Sequence, residues 1–227
     1  MRVDKDQAMR LIAHRISDEL KTGMLVNLGV GIPTIVSEYI DADKNIQMLA
    51  ENGVIGSDSS AFSVINSTSK NADENTTAVD PGASYFDSAT SFGMIRGGHV
   101  DVTVLGTMEV AENGDIANYL IPGKKVAGMG GAMDLCTGCK KVIVASLHTN
   151  RDQAKLLKRC TLPLTASKAV NTVVTELGVF DVTEKGFYVR EYNPAFTLEE
   201  IQTLSEAALH TDELTKAMDD KYFKEFA

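Results

Sequence analysis

The stretch "MLVNLGVGIPTIVSEYIDADKNIQMLAENGVIG", Met24 to Gly56, decides the fold. Its opening, "MLVNLGVGIP", reads as a buried strand entering a glycine-rich loop. Pro33 suits the first position of the next helix, "PTIVSEYI", where a missing N–H costs nothing. "NIQMLAEN" is a second apolar strand, about 20 residues after the first. Strand, glycine turn, helix, strand is a βαβ unit, which implies parallel pairing and a right-handed crossover.

The flanking chain extends the same pattern. In "DKDQAMRLIAHRISDELKTG", Met9, Ile12, Ile16 and Leu20 recur at helical spacing, and the helix is expected to stop at Gly23. "SYFDSATSFGMIRGG" reads as a helix, "HVDVTVLG" as an alternating strand, and "KVIVAS" as a buried parallel strand. "VVTELGVFDVTEKGFYVREY" is a strand followed by a hairpin. Thr197 and Glu200 match a capping box, so residues 197–227 are expected to form an acidic helical tail. The polar stretch from Asn66 to Asp80 is a long loop. Residues 1–227 thus read as one α/β domain, a Rossmann-like, mostly parallel sheet flanked by helices, with added hairpins.

Composition narrows the function. The chain has 227 residues, 44% hydrophobic, with a net charge of −9. Such a chain repels nucleic acid and anionic membrane, so neither is an expected partner. No apolar run reaches the roughly 20 residues of a membrane span. The N-terminal "MRVDKDQAMRLIAHR" interleaves charges where a signal peptide would be apolar, so a soluble cytoplasmic protein is expected. Of three cysteines, Cys136 and Cys139 form "CTGC". Zinc would need two more ligands, and Cys160 and His148 show no ligand spacing; structural cysteines are expected.

The tetrapeptide Ala-Glu-Asn-Gly occurs twice, at Ala50–Gly53 and Ala111–Gly114. Around the second copy, apolar alternation on both sides marks a hairpin, which makes Glu112 a solvated turn residue. The first copy follows a βαβ strand and is trailed by "VIG", with no returning alternation. That puts Glu51 at the carboxyl end of a strand, where open α/β sheets bind ligands. An ordinary strand-end acid fits the same residues. Two glycine loops accompany it. "GVGIP", with Gly29 and Gly31, could cradle a phosphate at a helix start, but lacks the third glycine of the dinucleotide fingerprint. "GMGG", with Gly130 and Gly131, exposes amides suited to an oxyanion; a plain tight turn explains either loop equally well.

Taken together, "LVNLGVGIPT", "ENGVIG", "PGASYFDSATSFGMIRGGHVDVTVLG", "GDIANYLIPGKKVAGMGGAMDL", "KVIVA", "LLKRCTLPLTA" and "VTELGVFDV" resemble the B (beta) subunit of family I CoA-transferases, over about residues 8 to 183. The succinyl-CoA:3-oxoacid and butyrate–acetoacetate enzymes are the nearest types. The resemblance implies that Glu51 is the nucleophile, attacking an acyl-CoA thioester and carrying CoA as a glutamyl thioester. It implies Gly131, then Gly130, as oxyanion donors, and Asn52, Gly53, Gly29, Gly31 and Lys124 as further substrate-binding candidates. It also implies a separate A subunit in an α2β2 assembly, CoA as substrate, and no permanent cofactor or metal. Local cations for the CoA phosphates are Lys124, Lys125 and the run Arg151–Arg159, the latter also readable as a solvated helix face.

The chain departs from the family at four places. Ala50 stands where serine is usual, "SDSS" comes after "ENGVIG", Glu109 replaces a glutamine and Tyr119 a tryptophan. A second carboxylate at Glu109, if close to the site, would alter acceptor choice. These departures raise the expectation of a substrate other than plain succinate or acetoacetate. Acyl-CoA hydrolysis, or a non-catalytic binding subunit of the same fold, are the alternatives.

Overall fold

The computed structural model describes residues 4–57, 79–123, 128–151 and 153–226. The polar stretch from Asn66 as far as Ala78, the "SDSS" segment beyond Ser57, and Lys124 and Lys125 lie outside the described residues. In chain order come α1 (Lys5–Ser17), β1 (Leu25–Leu28), α2 (Ile32–Ile35), β2 (Gln47–Ala50), β3 (Val54–Ser57), β4 (Val79–Tyr85) and α3 (Ser88–Arg96). Next are β5 (Val102–Leu105), β6 (Glu109–Ala111), β7 (Ile116–Ala117), α4 (Ala132–Gly138), β8 (Lys141–Ala145), β9 (Thr149–Asn150), β10 (Gln153–Ala154) and β11 (Leu156–Leu157). The last are β12 (Thr172–Thr175), β13 (Gly178–Thr183), β14 (Gly186–Tyr192), α5 (Leu198–Thr203), β15 (Leu209–His210) and β16 (Lys216–Ala217).

The main sheet runs β15-β14-β13-β12-β8-β5-β1-β2-β3-β4, with β16 also beside β14. Its centre, from β12 to β2, is parallel. Antiparallel pairs extend it through β3 and β4 at one side and β13 and β14 at the other. Side chains alternate across the central strands. Val142 and Val144 join a core with Ile95 of α3, Leu135 of α4 and Ile201 of α5. Ile143 and Ala145 face the opposite way, onto Leu11, Ile12 and Ile16 of α1. Two apolar layers on one sheet make the mixed α/β architecture the sequence implied. Among the described residues no helix is long and apolar enough to cross a membrane.

Three expectations are corrected. Helix α1 begins at the reciprocal Asp4–Gln7 capping box but ends at Ser17, short of Gly23. There the Ser17 hydroxyl donates to the His14 carbonyl, and the Asp18 carboxylate is taken up by Tyr222 and Lys221. The C-terminal tail is not one continuous helix: α5 ends at Thr203, and short 3-10 turns follow at Asp220–Tyr222 and Lys224–Phe226. The Thr197–Glu200 capping box forms, but the Gln202 amide then bonds Ala207 O and the Leu209 N–H, turning the chain into β15. Met218, Tyr222 and Phe223 pack beside α1. Finally, the described residues of the run from Arg151 form the short strands β10 and β11 and no helix, because Leu156 and Leu157 are buried and pair in register with Val110 and Ala111.

Helix α1 is tied to the sheet by charge as well as by packing. Buried Arg15 donates to both Glu191 oxygens, at 2.7 and 3.1 Å, and meets Glu19 at 3.0 Å. Burial would raise the Glu19 carboxyl, but Lys141, Arg190 and Arg15 outweigh it and hold it at about 2.

A second buried polar group joins α5 to β12. His148 is fully buried. The Ser205 hydroxyl donates its proton to Ile201 O at 3.0 Å, so it accepts from His148 Nε2–H at 2.8 Å. The Thr175 hydroxyl accepts from Leu177 N–H at 3.1 Å and donates to Nδ1 at 3.0 Å. That fixes a neutral tautomer, and burial pushes the imidazole down to about 3. The unfolded chain takes up this proton near pH 6.5, whereas the folded chain refuses it. Stability from His148 is therefore complete above pH 6.5 and is lost as pH falls towards 3, with a limiting slope of about 1.4 kcal/mol per pH unit. His14, also lowered by burial, adds in the same direction. Denaturant unfolding between pH 7.5 and 5 should show this slope, and His148→Gln should flatten it while lowering stability at pH 7.5. An unchanged slope in the variant would refute the assignment.

Candidate active site

Strands β5, β1 and β2 lie side by side and parallel, with Asn27 paired to Thr103 and Val26 to Met48. The segments leaving their carboxyl ends meet at one cavity of about 610 Å³. After β5 come Gly106, Thr107 and Met108; after β1, Gly29 and Val30; after β2, Glu51. Asn118 and Tyr119, and the Gly128–Gly131 loop that opens α4, complete the wall. This is the crevice at strand ends where α/β sheets take ligands.

Glu51 sits in a tight hairpin, which corrects the reading of the first Ala-Glu-Asn-Gly copy. Ala50 pairs with Val54 and Leu49 with Ile55, antiparallel. The chain returns as a strand although "VIG" carries no polar alternation. The Gly53 N–H closes the turn on Ala50 O at 2.9 Å, and Gly114 closes the second copy on Ala111 O at 2.9 Å. Gly53 has φ +115, and a Cβ there would stand 2.0 Å from Phe86 O, so only glycine fits. The two copies share a local turn and differ in what surrounds it. Glu112 stands near Gly186 and His210, away from the cavity.

Asn27 holds Glu51. This residue is 1% exposed, within a strand whose neighbours are apolar. Its Nδ2 donates to Leu49 O at 3.0 Å and to Glu51 Oε2 at 3.2 Å. Sequence reasoning passed over Asn27; its signal was a lone amide in the buried run "LVNL". Val30, Met108, Asn118 and Tyr119 were likewise not singled out as cavity residues. Loops converge on them from distant parts of the chain.

Gly131 faces Glu51 directly. A Cβ at Gly131 would lie 3.3 Å from Glu51 Cγ and 3.3 Å from the Phe92 ring. No side chain caps the start of α4. Helices α3 and α4 are joined by Arg96 Nε on Asp134 at 2.6 Å.

The structure thus gathers Glu51, Gly29, Gly130 and Gly131 at the cavity. It leaves Asn52 exposed at the hairpin tip, Gly53 buried in the turn and Gly31 at the start of α2, none of them lining the cavity. Glu109 is also away from it. Its carboxylate accepts from the Thr161 N–H and hydroxyl, both at 2.7 Å, and from the Leu162 N–H at 2.9 Å. It clamps a turn and presents no second acid to the site. Cys136 is buried in α4 and Cys139 ends it, and burial raises both thiols to about 12.

Residues 9–204 match the family model described as coenzyme A transferase. The chain belongs to the coenzyme A transferase family. It is 48% identical over 201 residues to an acetate CoA-transferase beta subunit of Haemophilus influenzae, covering 88% of this chain and 90% of that one. It is 44% identical over 200 residues to the B subunit of a succinyl-CoA:3-ketoacid coenzyme A transferase of Helicobacter pylori, covering 86% and 95%. The chain also matches 39% of a mitochondrial succinyl-CoA:3-ketoacid coenzyme A transferase of Rattus norvegicus, at 41% identity and 88% of its own length. By fold it resembles an acyl-CoA transferase of Escherichia coli O157:H7, with a TM-score of 0.77 and 22% identity, covering 98% of this chain and 45% of that one. Glutaconate coenzyme A-transferase of Acidaminococcus fermentans has the same fold, with a TM-score of 0.71 and 14% identity, covering 93% and 88%.

The close approach at Gly131 yields a clean test in this coenzyme A transferase. Gly131 has φ −83, which alanine tolerates, so Gly131→Ala acts through its methyl group alone. The chain should fold, Glu51 should shift by tenths of an ångström, and CoA-transfer turnover should fall about tenfold. Steady-state kinetics beside a melting curve check this; full turnover in a folded variant would exclude a role for the contact.

Proposed function

We propose that this chain is the catalytic B subunit of a CoA-transferase that moves CoA between an acyl-CoA thioester and a free carboxylic acid, with Glu51 as nucleophile. The single observation that carries the assignment is Glu51 lining the cavity, held by Asn27 and faced by Gly131. Short-chain acids such as acetate, butyrate or acetoacetate are the proposed substrates; relatives named for acetate and for a 3-ketoacid support that class. Residues 1–227 form one subunit in this reading. A separate A subunit completes an α2β2 assembly, in keeping with relatives named as beta or B subunits and with a rat chain more than twice as long.

The chemistry follows from the residue type. The Glu51 carboxylate attacks the thioester carbonyl, the C–S bond breaks, and CoA thiolate leaves an acyl–glutamyl anhydride. The thiolate attacks the glutamyl carbonyl and releases the donor acid, leaving a glutamyl-CoA thioester. The acceptor carboxylate runs the two steps in reverse, and no net proton or electron moves. One thioester is exchanged for another of similar energy, so the reaction requires neither ATP nor a metal. Covalent capture splits the exchange into two manageable steps. Placement of the reacting groups supplies roughly 7–11 kcal/mol. Gly131, and next to it Gly130, are the proposed oxyanion donors, worth about 3 kcal/mol for one donor. Gly29 borders the same space and is the proposed contact beside the thioester. Lys124 and Lys125 are the proposed cations for the CoA phosphates. Both intermediates hydrolyse, so water must be excluded. The exposed apolar side chains of Val30 and Met129 at the cavity suit closure by the partner subunit.

The complex incubated with acyl-CoA and no acceptor should carry CoA on the Glu51 peptide, read by mass spectrometry. Glu51→Asp withdraws the carboxylate by one methylene and should cost on the order of 100-fold in rate. Glu51→Gln should abolish the adduct, and Glu112→Gln should leave both adduct and turnover intact. Normal turnover without any Glu51 adduct would end the covalent reading.

A further inference from the structure

We propose that Thr103 is a positioning residue for Glu51, acting through the amide of Asn27. The inference rests on Glu51 being the nucleophile. Thr103 is fully buried in the otherwise apolar strand β5, in register with Asn27 of β1. Its hydroxyl donates to Asn27 Oδ1 at 3.1 Å. Asn27 Nδ2 then donates to Leu49 O at 3.0 Å and to Glu51 Oε2 at 3.2 Å. Thr103 of β5, Asn27 of β1 and Glu51, directly after β2, form a polar row on the sheet face that carries α3 and α4.

The direction of each bond is set by groups that have no choice. The Leu49 carbonyl can only accept, so the amide must turn its NH₂ group towards it. Asn27 Oδ1 is thereby aimed at β5, and Thr103 must donate. A flipped amide would set oxygen against both Leu49 O and the Glu51 carboxylate. Without the Thr103 hydroxyl, a buried amide oxygen loses its donor. The amide then twists to find another, and its N–H leaves Glu51 Oε2. Since that contact fixes one carboxylate oxygen, it sets where the other points, which is the orientation an attack on a thioester depends on. The β-branched Thr103 side chain has few rotamers, which holds the hydroxyl in line. A threonine serving only to fill the strand would be replaced by valine without consequence for Glu51.

The test is the rate of CoA labelling of the Glu51 peptide in the complex with its A subunit. The probe is whichever of acetyl-CoA, butyryl-CoA and acetoacetyl-CoA labels wild type fastest. Thr103→Val, nearly isosteric, should slow labelling about tenfold in folded complex. Thr103→Ser, which keeps the hydroxyl, should restore it to within threefold. Asn27→Ala should be slow by itself, and adding Thr103→Val to it should cost no more than a further twofold, because the two act as one unit. If the valine variant does not assemble, Thr103→Cys, a weaker donor, replaces it under the same criteria. Wild-type labelling in the valine variant, serine as slow as valine, or full additivity in the double variant each overturns the proposal. Absence of label in wild type would instead overturn the nucleophile assignment, and the proposal with it.

Discussion

The structure depends on the parallel pairing of β1 between β5 and β2. A parallel strand must be re-entered from the same end, so every crossover leaves its loops at the amino and carboxyl ends of the strands. Three consecutive carboxyl ends therefore open beside one another, and each chain segment leaving them contributes to one cavity. Antiparallel β3 and β4 extend the sheet beyond β2 and allow the chain to turn sharply straight after Glu51. The glutamate is thus held in a closed turn at the edge of the cavity, with its backbone fixed on both sides.

Close packing completes the site. Gly53 lets the turn approach the Phe86 carbonyl, and Gly131 lets the start of α4 approach Glu51 and Phe92. A Cβ is excluded at Gly53, and at Gly131 it would push Glu51 and Phe92 back by tenths of an ångström. The glycines here act by what they leave out. The Gly131 approach in turn depends on α3 and α4 lying against each other, through Arg96 and Asp134 at the surface and Ile95 and Leu135 in the core. Three polar residues of the interior tie distant elements together. Asn27 joins β1 to β2, His148 joins β12 to α5, and Arg15 joins α1 to β14. Buried donors and acceptors are costly when unmet, so such groups select one register where an apolar core would allow several.

The repeated Ala-Glu-Asn-Gly shows how little a local motif decides. Both copies form hairpin turns closed by the same glycine-to-alanine hydrogen bond. One glutamate faces a cavity with an asparagine on its carboxylate; the other lies near Gly186 and His210. The motif encodes a turn, and its position at the end of a central strand supplies the rest.

Periodicity and turn chemistry by themselves determined the βαβ unit, the strands β1, β2, β5 and β8, the hairpin of β13 and β14, and the cap at Thr197. These are local signals, carried by side-chain spacing and by residues that bond their own backbone. Matched blocks of sequence pointed to the family and to Glu51 together with Gly29, Gly130 and Gly131. Only the tertiary structure decided that Glu109 clamps Thr161, that the tail leaves its helix at Thr203 to pair with β14, and that Asn27 holds the glutamate. Each of these depends on a partner distant in sequence. A carboxylate or an amide carries no mark of which partner it will meet; that is set when residues 24 or 52 positions apart are brought within hydrogen-bonding distance.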